Sequence, residues 1–199
     1  MNDTLFTQIE SSRLILRRFR DRDLPNFVAY RNDPEVARYQ SWTSLSEREA
    51  RHFIDEMKIA QPGLRGEWFQ FAIEHKASHE LIGDCALQVK AEDGRQAEIG
   101  YTLARAYHHQ GYGREAVATL LEYAFRTLNL HRVFAQADCR NDASVHLLER
   151  LGLRREGHFI QNFWFKGHWI DEYLYAILQA EWLQRQAKMM PTASDRLTR

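Results

Sequence analysis

Two cysteines, Cys85 and Cys139, are too few for a disulfide framework or a four-ligand zinc site. Both read as strand or strand-end packing residues. Neither sign of charge is in excess, because Lys+Arg and Asp+Glu both number 27. That balance argues against bulk electrostatic attachment to nucleic acid or to an anionic lipid surface. No apolar run approaches the roughly 20 residues of a membrane helix. The opening MNDTLFTQIE lacks the basic-then-apolar order of a signal peptide. A cytoplasmic protein with neither nucleic-acid nor membrane partners is therefore expected. Internal repeats are absent as well. What is present suits one well-filled core: 199 residues, 44% of them hydrophobic and 27% charged.

Hydrophobic periodicity sets out the elements. Arg13–Phe19 reads as a strand, and Asp21–Tyr30 as a helix ended by Asn32-Asp33-Pro34. A second helix opens on a Ser46/Glu49 capping box and carries Ala50, Phe53, Ile54 and Met57 on its apolar stripe. Trp68–Ile73, Leu81–Val89 and Ala97–Leu103 follow as an antiparallel meander. Gly111-Tyr112-Gly113 then opens a strongly amphipathic helix. Arg132–Ala137 is a strand, and Asn141 caps a helix stopped by Gly152. His158–Phe165 and Trp169–Leu178 close the order around a Lys166-Gly167 turn, with Trp164, Trp169, Tyr173 and Tyr175 expected in the sheet core. The string β-α-α-β-β-β-α-β-α-β-β predicts an α+β fold, a mixed and mainly antiparallel twisted sheet with helices on both faces. A short arm over residues 1–10, one domain over 11–183 and a flexible tail over 184–199 are expected.

The loop His108-His109-Gln110-Gly111-Tyr112-Gly113-Arg114 lies between a strand and a helix. Its glycines permit positive φ and close backbone approach, and the helix start favours an anion such as a cofactor phosphate. A tight turn that needs glycine explains the same residues. A nucleotide-hydrolase phosphate loop is disfavoured, since no Lys-Ser/Thr follows the second glycine. A dinucleotide fingerprint fails for want of a third glycine. Adjacent His108 and His109 supply too few ligands for a metal.

Five segments in order narrow the choice: Arg13-Leu14-Ile15-Leu16-Arg17; Glu98–Leu103 (EIGYTL); Gly111–Ala116 (GYGREA); Asn141–Gly152, with Ser144, Leu147 and Glu149; and Gly167-His168-Trp169-Ile170-Asp171 with Tyr175. Together they resemble the GNAT superfamily of acyl-CoA-dependent N-acetyltransferases, within it the branch of ribosomal-protein N-terminal acetyltransferases, over residues 11–180. Two departures stand out. His108 occupies a loop position where Gln, Arg or Trp is usual, and Leu148 replaces a tyrosine that many members carry as the acid for the leaving thiolate.

The resemblance implies acetyl-CoA as cofactor and an acetyl group passed directly to a primary amine, with no acyl-cysteine. It implies cofactor contacts from Tyr101, Thr102, Leu103, His108, His109, Gln110, Gly111, Tyr112, Gly113, Arg114, Asn141, Ser144 and Leu147. Glu98 is expected as the proton acceptor, because an alkyl ammonium is unreactive until neutral; a surface strand carboxylate is its plainer reading. A bulge at Gly100 would free backbone N–H groups for the acyl carbonyl. Ser144 is expected to serve the leaving sulfur, and Asn141 and Ser144 read equally as helix-start residues. Tyr39 and Trp42 are expected at the acceptor site, with Trp42 alternatively a plug at the core edge. A protein N-terminus is the expected acceptor. A small amine (polyamine, amino acid or aminoglycoside), a non-catalytic acyl-CoA-binding module and a nucleotide-binding protein remain as alternatives, with the chain a monomer or homodimer. The acceptor segment has no acidic cluster, which weighs against a polycation.

Overall fold

The computed structural model describes residues 6–189. Its elements are β1 (Gln8–Glu10), β2 (Leu14–Arg17), α1 (Leu24–Arg31), α2 (Pro34–Ala37), α3 (Glu47–Ile59), β3 (Trp68–His75), β4 (Leu81–Val89), β5 (Gln96–Leu103), α4 (Tyr112–Glu122), β6 (Arg132–Asp138), α5 (Asp142–Leu151), β7 (Arg154–Phe165), β8 (His168–Leu178) and α6 (Gln179–Met189). The eight strands form one sheet in the order β1-β2-β3-β4-β5-β6-β8-β7. All neighbours are antiparallel except β5 and β6, which are parallel.

Strand alternation sends Phe69, Phe71, Ile73, Leu87, Ile99, Val133 and Ile177 to one face, beneath Val117, Leu120 and Leu121 of α4 and Leu148 of α5. The opposite face takes α1 and α3 through Phe27, Ala50 and Ile54. Ser46 and Glu49 close the expected capping box on α3. Gly152 ends α5 at φ +94°.

Four expectations change. Asn32-Asp33-Pro34 does more than stop α1: Asp33 caps the short α2, whose first residue is Pro34. Gln8–Glu10 pairs with β2, and α6 continues to Met189 with Trp182 buried; residues 1–5 and 190–199 of the expected arm and tail lie outside the described residues. Trp164 and Trp169 are more than half exposed on the β7–β8 hairpin rather than in the core, whereas Tyr175 is buried. Gly100 makes no bulge, since β4 and β5 pair without a register shift from Gly83↔Leu103 to Val89↔Ala97.

Arg17 anchors the start of the domain. The residue is 1% exposed, and its guanidinium donates to both Asp23 oxygens (2.7 and 2.8 Å) and to Glu74. Burial pushes the Glu74 carboxyl up, but hydrogen bonds and charge from Arg17, with further bonds from His79 and Arg22, together hold the group below its ordinary value. A depressed carboxylate contributes stability above its unfolded pKa and loses it as pH falls through the folded value. Replacing Arg17 by Leu removes the buried cation that Asp23 and Glu74 share, leaving them the Arg20 amide and the Arg22 guanidinium, and is expected to cost about 3–5 kcal/mol. Urea unfolding at pH 7 measures that loss, and the difference from the parent should shrink below about pH 4, where carboxylates are neutral.

Candidate functional site

The site begins where the sheet divides. β5 and β6 pair only at Gln96↔Arg132, Ala97↔Val133 and Glu98↔Phe134, then part. On the other edge of β5, the Lys90 amide donates to the Gln96 carbonyl and the Ala104 amide to the Ile82 carbonyl. Strand alternation therefore assigns the even residues of β5 to the β4 ladder. It turns the N–H and C=O groups of Ile99, Tyr101 and Leu103 toward the opening. Two side-chain contacts agree: the Tyr101 carbonyl accepts from Gln40 and the Leu103 carbonyl meets His108 Nε2 at 2.8 Å. Free backbone N–H groups thus arise from the parting of two strands, not from a glycine bulge.

The opening continues into a cleft of about 220 Å³ whose lining includes Ile99–Tyr101, Ala135–Asp138, Asn141, Ser144, Tyr39 and the hairpin residues Phe163, Phe165 and Ile170. A larger groove, about 540 Å³, runs between β1, α4 and α6, but no residue at the strand parting lines it.

Above the opening lies the glycine loop. Gly111, at φ +82°, is the residue before α4, so its conformation sets how the helix start faces the loop. Gly113 lets Leu147 of α5 approach, because a Cβ there would lie 3.1 Å from Leu147 Cδ1. Arg13 fixes the loop from β2's end of the chain. It donates from Nε to Glu115 (2.6 Å) and from Nη1 to the Gln110 carbonyl (3.1 Å), and its guanidinium sits 4.2 Å over the Tyr112 ring. Gln110, Gly111 and Arg114 are exposed, while Tyr112 is half-buried. His109 adopts φ +59°.

The second helix start lies across the opening. The Asn141 side chain accepts from the Ser144 amide at 3.2 Å. Ser144 Oγ lies 2.7 Å from the Tyr101 hydroxyl. Burial pushes the Tyr101 phenol far up, against the opposing pull of the Ser144 bond, so it stays neutral and can donate. The pair links β5 to α5 at the mouth of the opening.

On the hairpin side, the segment after α2 straps across the cleft. Tyr39 donates to the Arg140 carbonyl (3.1 Å), and Lys166 of the hairpin donates to the Ala37 carbonyl (2.6 Å). Two carboxylates line this part. Asp138 is 8% exposed; burial raises it, but hydrogen bonds from the Arg140 side chain (2.9 and 2.6 Å) and amide hold it below its ordinary value. Glu172 accepts from Asn162 Nδ2 at 2.7 Å.

The structure brings Tyr39, Tyr101, Asn141 and Ser144 together around the cleft and gathers His108–Arg114 above it. Leu147 joins the two groups. Three expected residues stand apart. Thr102 is buried within the β4 ladder. Trp42 donates from Nε1 to the Arg31 carbonyl (2.9 Å) and carries the Arg31 guanidinium 3.6 Å over its ring, so it anchors the strap. Glu98 is outside the cleft lining and pairs with Lys90 at 3.0 Å. Glu172, Phe163, Phe165 and Arg13 are the residues sequence reasoning passed over. Only Arg13, the first residue of the opening motif, carried a signal. Among the described residues no cluster of three His, Cys, Asp or Glu could hold a metal, and no helix is long and apolar enough to cross a membrane. Gly111→Val places a β-branched side chain at positive φ and is expected to cost about 1–3 kcal/mol in urea unfolding.

The family model for the acetyltransferase (GNAT) domain matches residues 13–154. The N-acetyltransferase p20 of Bacillus licheniformis is 34% identical over 90% of this chain and 98% of that protein. The [ribosomal protein uS5]-alanine N-acetyltransferase of Escherichia coli K12 is 25% identical over 88% of this chain and 92% of its own length. Among solved structures, a GNAT-family acetyltransferase from Bacillus anthracis superimposes with a TM-score of 0.78 at 29% identity, covering 88% of this chain and 100% of that one. Spermidine N-acetyltransferase from Vibrio cholerae, in complex with CoA and spermine, gives 0.75 at 26% identity, covering 87% and 99%. The strand parting, the glycine loop and these matches agree, and the chain is an N-acetyltransferase of the GNAT family.

Proposed function

We propose that this chain acetylates the α-amine of a polypeptide, with acetyl-CoA as donor and direct attack of the amine on the thioester. The observation that carries the acceptor class is the lining of the cleft. Of its two carboxylates, Asp138 is neutralised by Arg140, which leaves Glu172 without a cation partner among the described residues. Phe163, Phe165 and Ile170 form an apolar wall beside it. One free charge next to aromatic surface suits a single ammonium attached to an apolar side chain; a polyamine presents several cations and calls for several carboxylates.

The residues on each side of the opening fit the donor. The loop at Gln110–Arg114 offers helix-start amides to the pyrophosphate. The outward N–H groups of Ile99 and Tyr101 match the amides of an extended pantetheine arm and the acetyl carbonyl oxygen. The cofactor supplies an acetyl group activated as a thioester. Ser144 then directs its hydroxyl at the sulfur position, while neutral Tyr101 holds the serine oxygen and leaves its proton free. A thiol has a pKa near 8.5, so a hydrogen bond suffices where an alkoxide would need a strong acid. Water exclusion falls to the strap, where Tyr39 and Gln40 close over β5.

Incubating the full chain with acetyl-CoA and a panel of peptides, with spermidine as comparator, tests this reading by thiol release and mass. Free-N-terminus peptides are expected to gain one acetyl group, while the same peptides with blocked N-termini gain none. Faster turnover of spermidine than of every peptide overturns the acceptor assignment. CoA-induced thermal stabilisation without acetylation of any amine would make the chain a binding module. Ser144→Ala is expected to lower single-turnover acetylation by about 10²–10³-fold, the typical loss of one oriented donor, with CoA affinity within a few-fold by calorimetry.

A further inference from the structure

We propose that Glu172 receives the acceptor ammonium in the cleft and takes its proton, an assignment that rests on the acetyl-transfer reading above. Three observations lead to it. First, Glu98, on the strand that carries the cofactor-facing amides, shares a sheet face with Glu172 but pairs with Lys90 and does not line the cleft. Second, Asp138 faces the cleft but is closed off by the two side-chain bonds from Arg140. Third, Glu172 lies directly across the ladder from Asp138 and, among the described residues, keeps one carboxylate oxygen clear of donors.

The local backbone is built to hold it. Between Phe159↔Glu172 and Phe163↔Ile170, the three residues Ile160, Gln161 and Asn162 of β7 face Asp171 alone on β8. Gln161 adopts φ +47°, and its amide donates to Asp171 Oδ1 at 2.9 Å. This bulge places Asn162 so that its amide nitrogen fixes one oxygen of Glu172. The charged groups nearby are already engaged: Arg140 with Asp138, Lys166 with the Ala37 carbonyl, Arg38 over the Tyr39 ring 5.3 Å away, and His158 with Asp171. No cation among the described residues competes with the acceptor for Glu172.

The proton balance is complete without another reactant. One ammonium proton passes to Glu172. The nitrogen lone pair so freed forms the C–N bond as the C–S bond breaks, and that electron pair leaves on sulfur. Of the two protons the nitrogen gives up, one ends on the thiol and the other returns from Glu172 to solvent.

Single-turnover acetylation of the best peptide of the panel, from pH 6 to 9.5, tests the assignment in Glu172→Gln, Glu98→Gln and Asn162→Ala. Glu172→Gln is expected to fall about 10²-fold at pH 6. The gap should narrow with pH, because the neutral fraction of an α-amine of pKa ~7.8 rises roughly 60-fold over this range. Asn162→Ala, which keeps the carboxylate but frees it, should lose less than tenfold and retain the parent's pH profile. Acetyl-CoA thermal shifts should match the parent in all three. A Glu172→Gln profile parallel to the parent, or a loss that does not narrow with pH, overturns the assignment, as does a narrowing loss in Glu98→Gln instead. A parent that acetylates no amine brings down the acetyl-transfer reading, and this assignment with it. An active parent with a silent Glu172 removes the assignment alone.

Discussion

The rest of the site depends on one break in the sheet, where the parallel strands β5 and β6 part after a short pairing. Parallel neighbours cannot be joined by a hairpin, so the chain leaves β5, crosses through α4 and enters β6 from the same end. Three residue pairs hold the two strands together. Beyond them, α4 starts at the end of β5 and α5 at the end of β6, so two helix N-termini flank the opening on one side of the sheet. The backbone of Ile99 and Tyr101 has no strand partner on that side. The features of the site follow from this gap: the amides that suit an extended cofactor arm, the Tyr101–Ser144 contact across it, and the cleft that continues from it.

Charge pairs between distant segments keep the gap in register. Arg13, before β2, grips Glu115 of α4 and the Gln110 carbonyl. Arg17, four residues on, is buried against Asp23 and Glu74. The opening RLILR segment therefore does two jobs, with one arginine holding the glycine loop and the other holding the sheet to the chain that leads into α1. The GYGREA segment contributes its glutamate for the same reason, as the partner of Arg13.

Most of the fold was legible because its signals are local. The Ser46/Glu49 box, the glycine stop at Gly152 and the 3.6-residue period after Gly111 act over a few residues. What escaped depends on partners far away in sequence. Trp182 extends the ordered chain because it packs near Phe125 and donates to Glu122, contacts that no window around Gln184 reveals. Trp164 and Trp169 have strand propensity but sit on an edge hairpin, where propensity does not decide burial. Within the site, the loop, Asn141, Ser144 and Tyr101 were legible from motif spacing. Glu172 was not, because its standing depends on Arg140 engaging Asp138 and on a bulge held by Asp171. Gly100 suggested an irregular strand, yet the gap lies on the other edge, where β5 and β6 part.

The central claim is that the cofactor arm lies between β5 and β6 as if completing the ladder that those strands abandon. A crystal structure of the full chain with CoA tests it most directly. The account predicts pantetheine amides hydrogen-bonded to Ile99 and Tyr101, pyrophosphate on the amides of Gln110–Arg114, and sulfur within hydrogen-bond reach of Ser144 Oγ. CoA bound instead in the groove between β1, α4 and α6, with the β5–β6 opening still covered by Gln40, would contradict it.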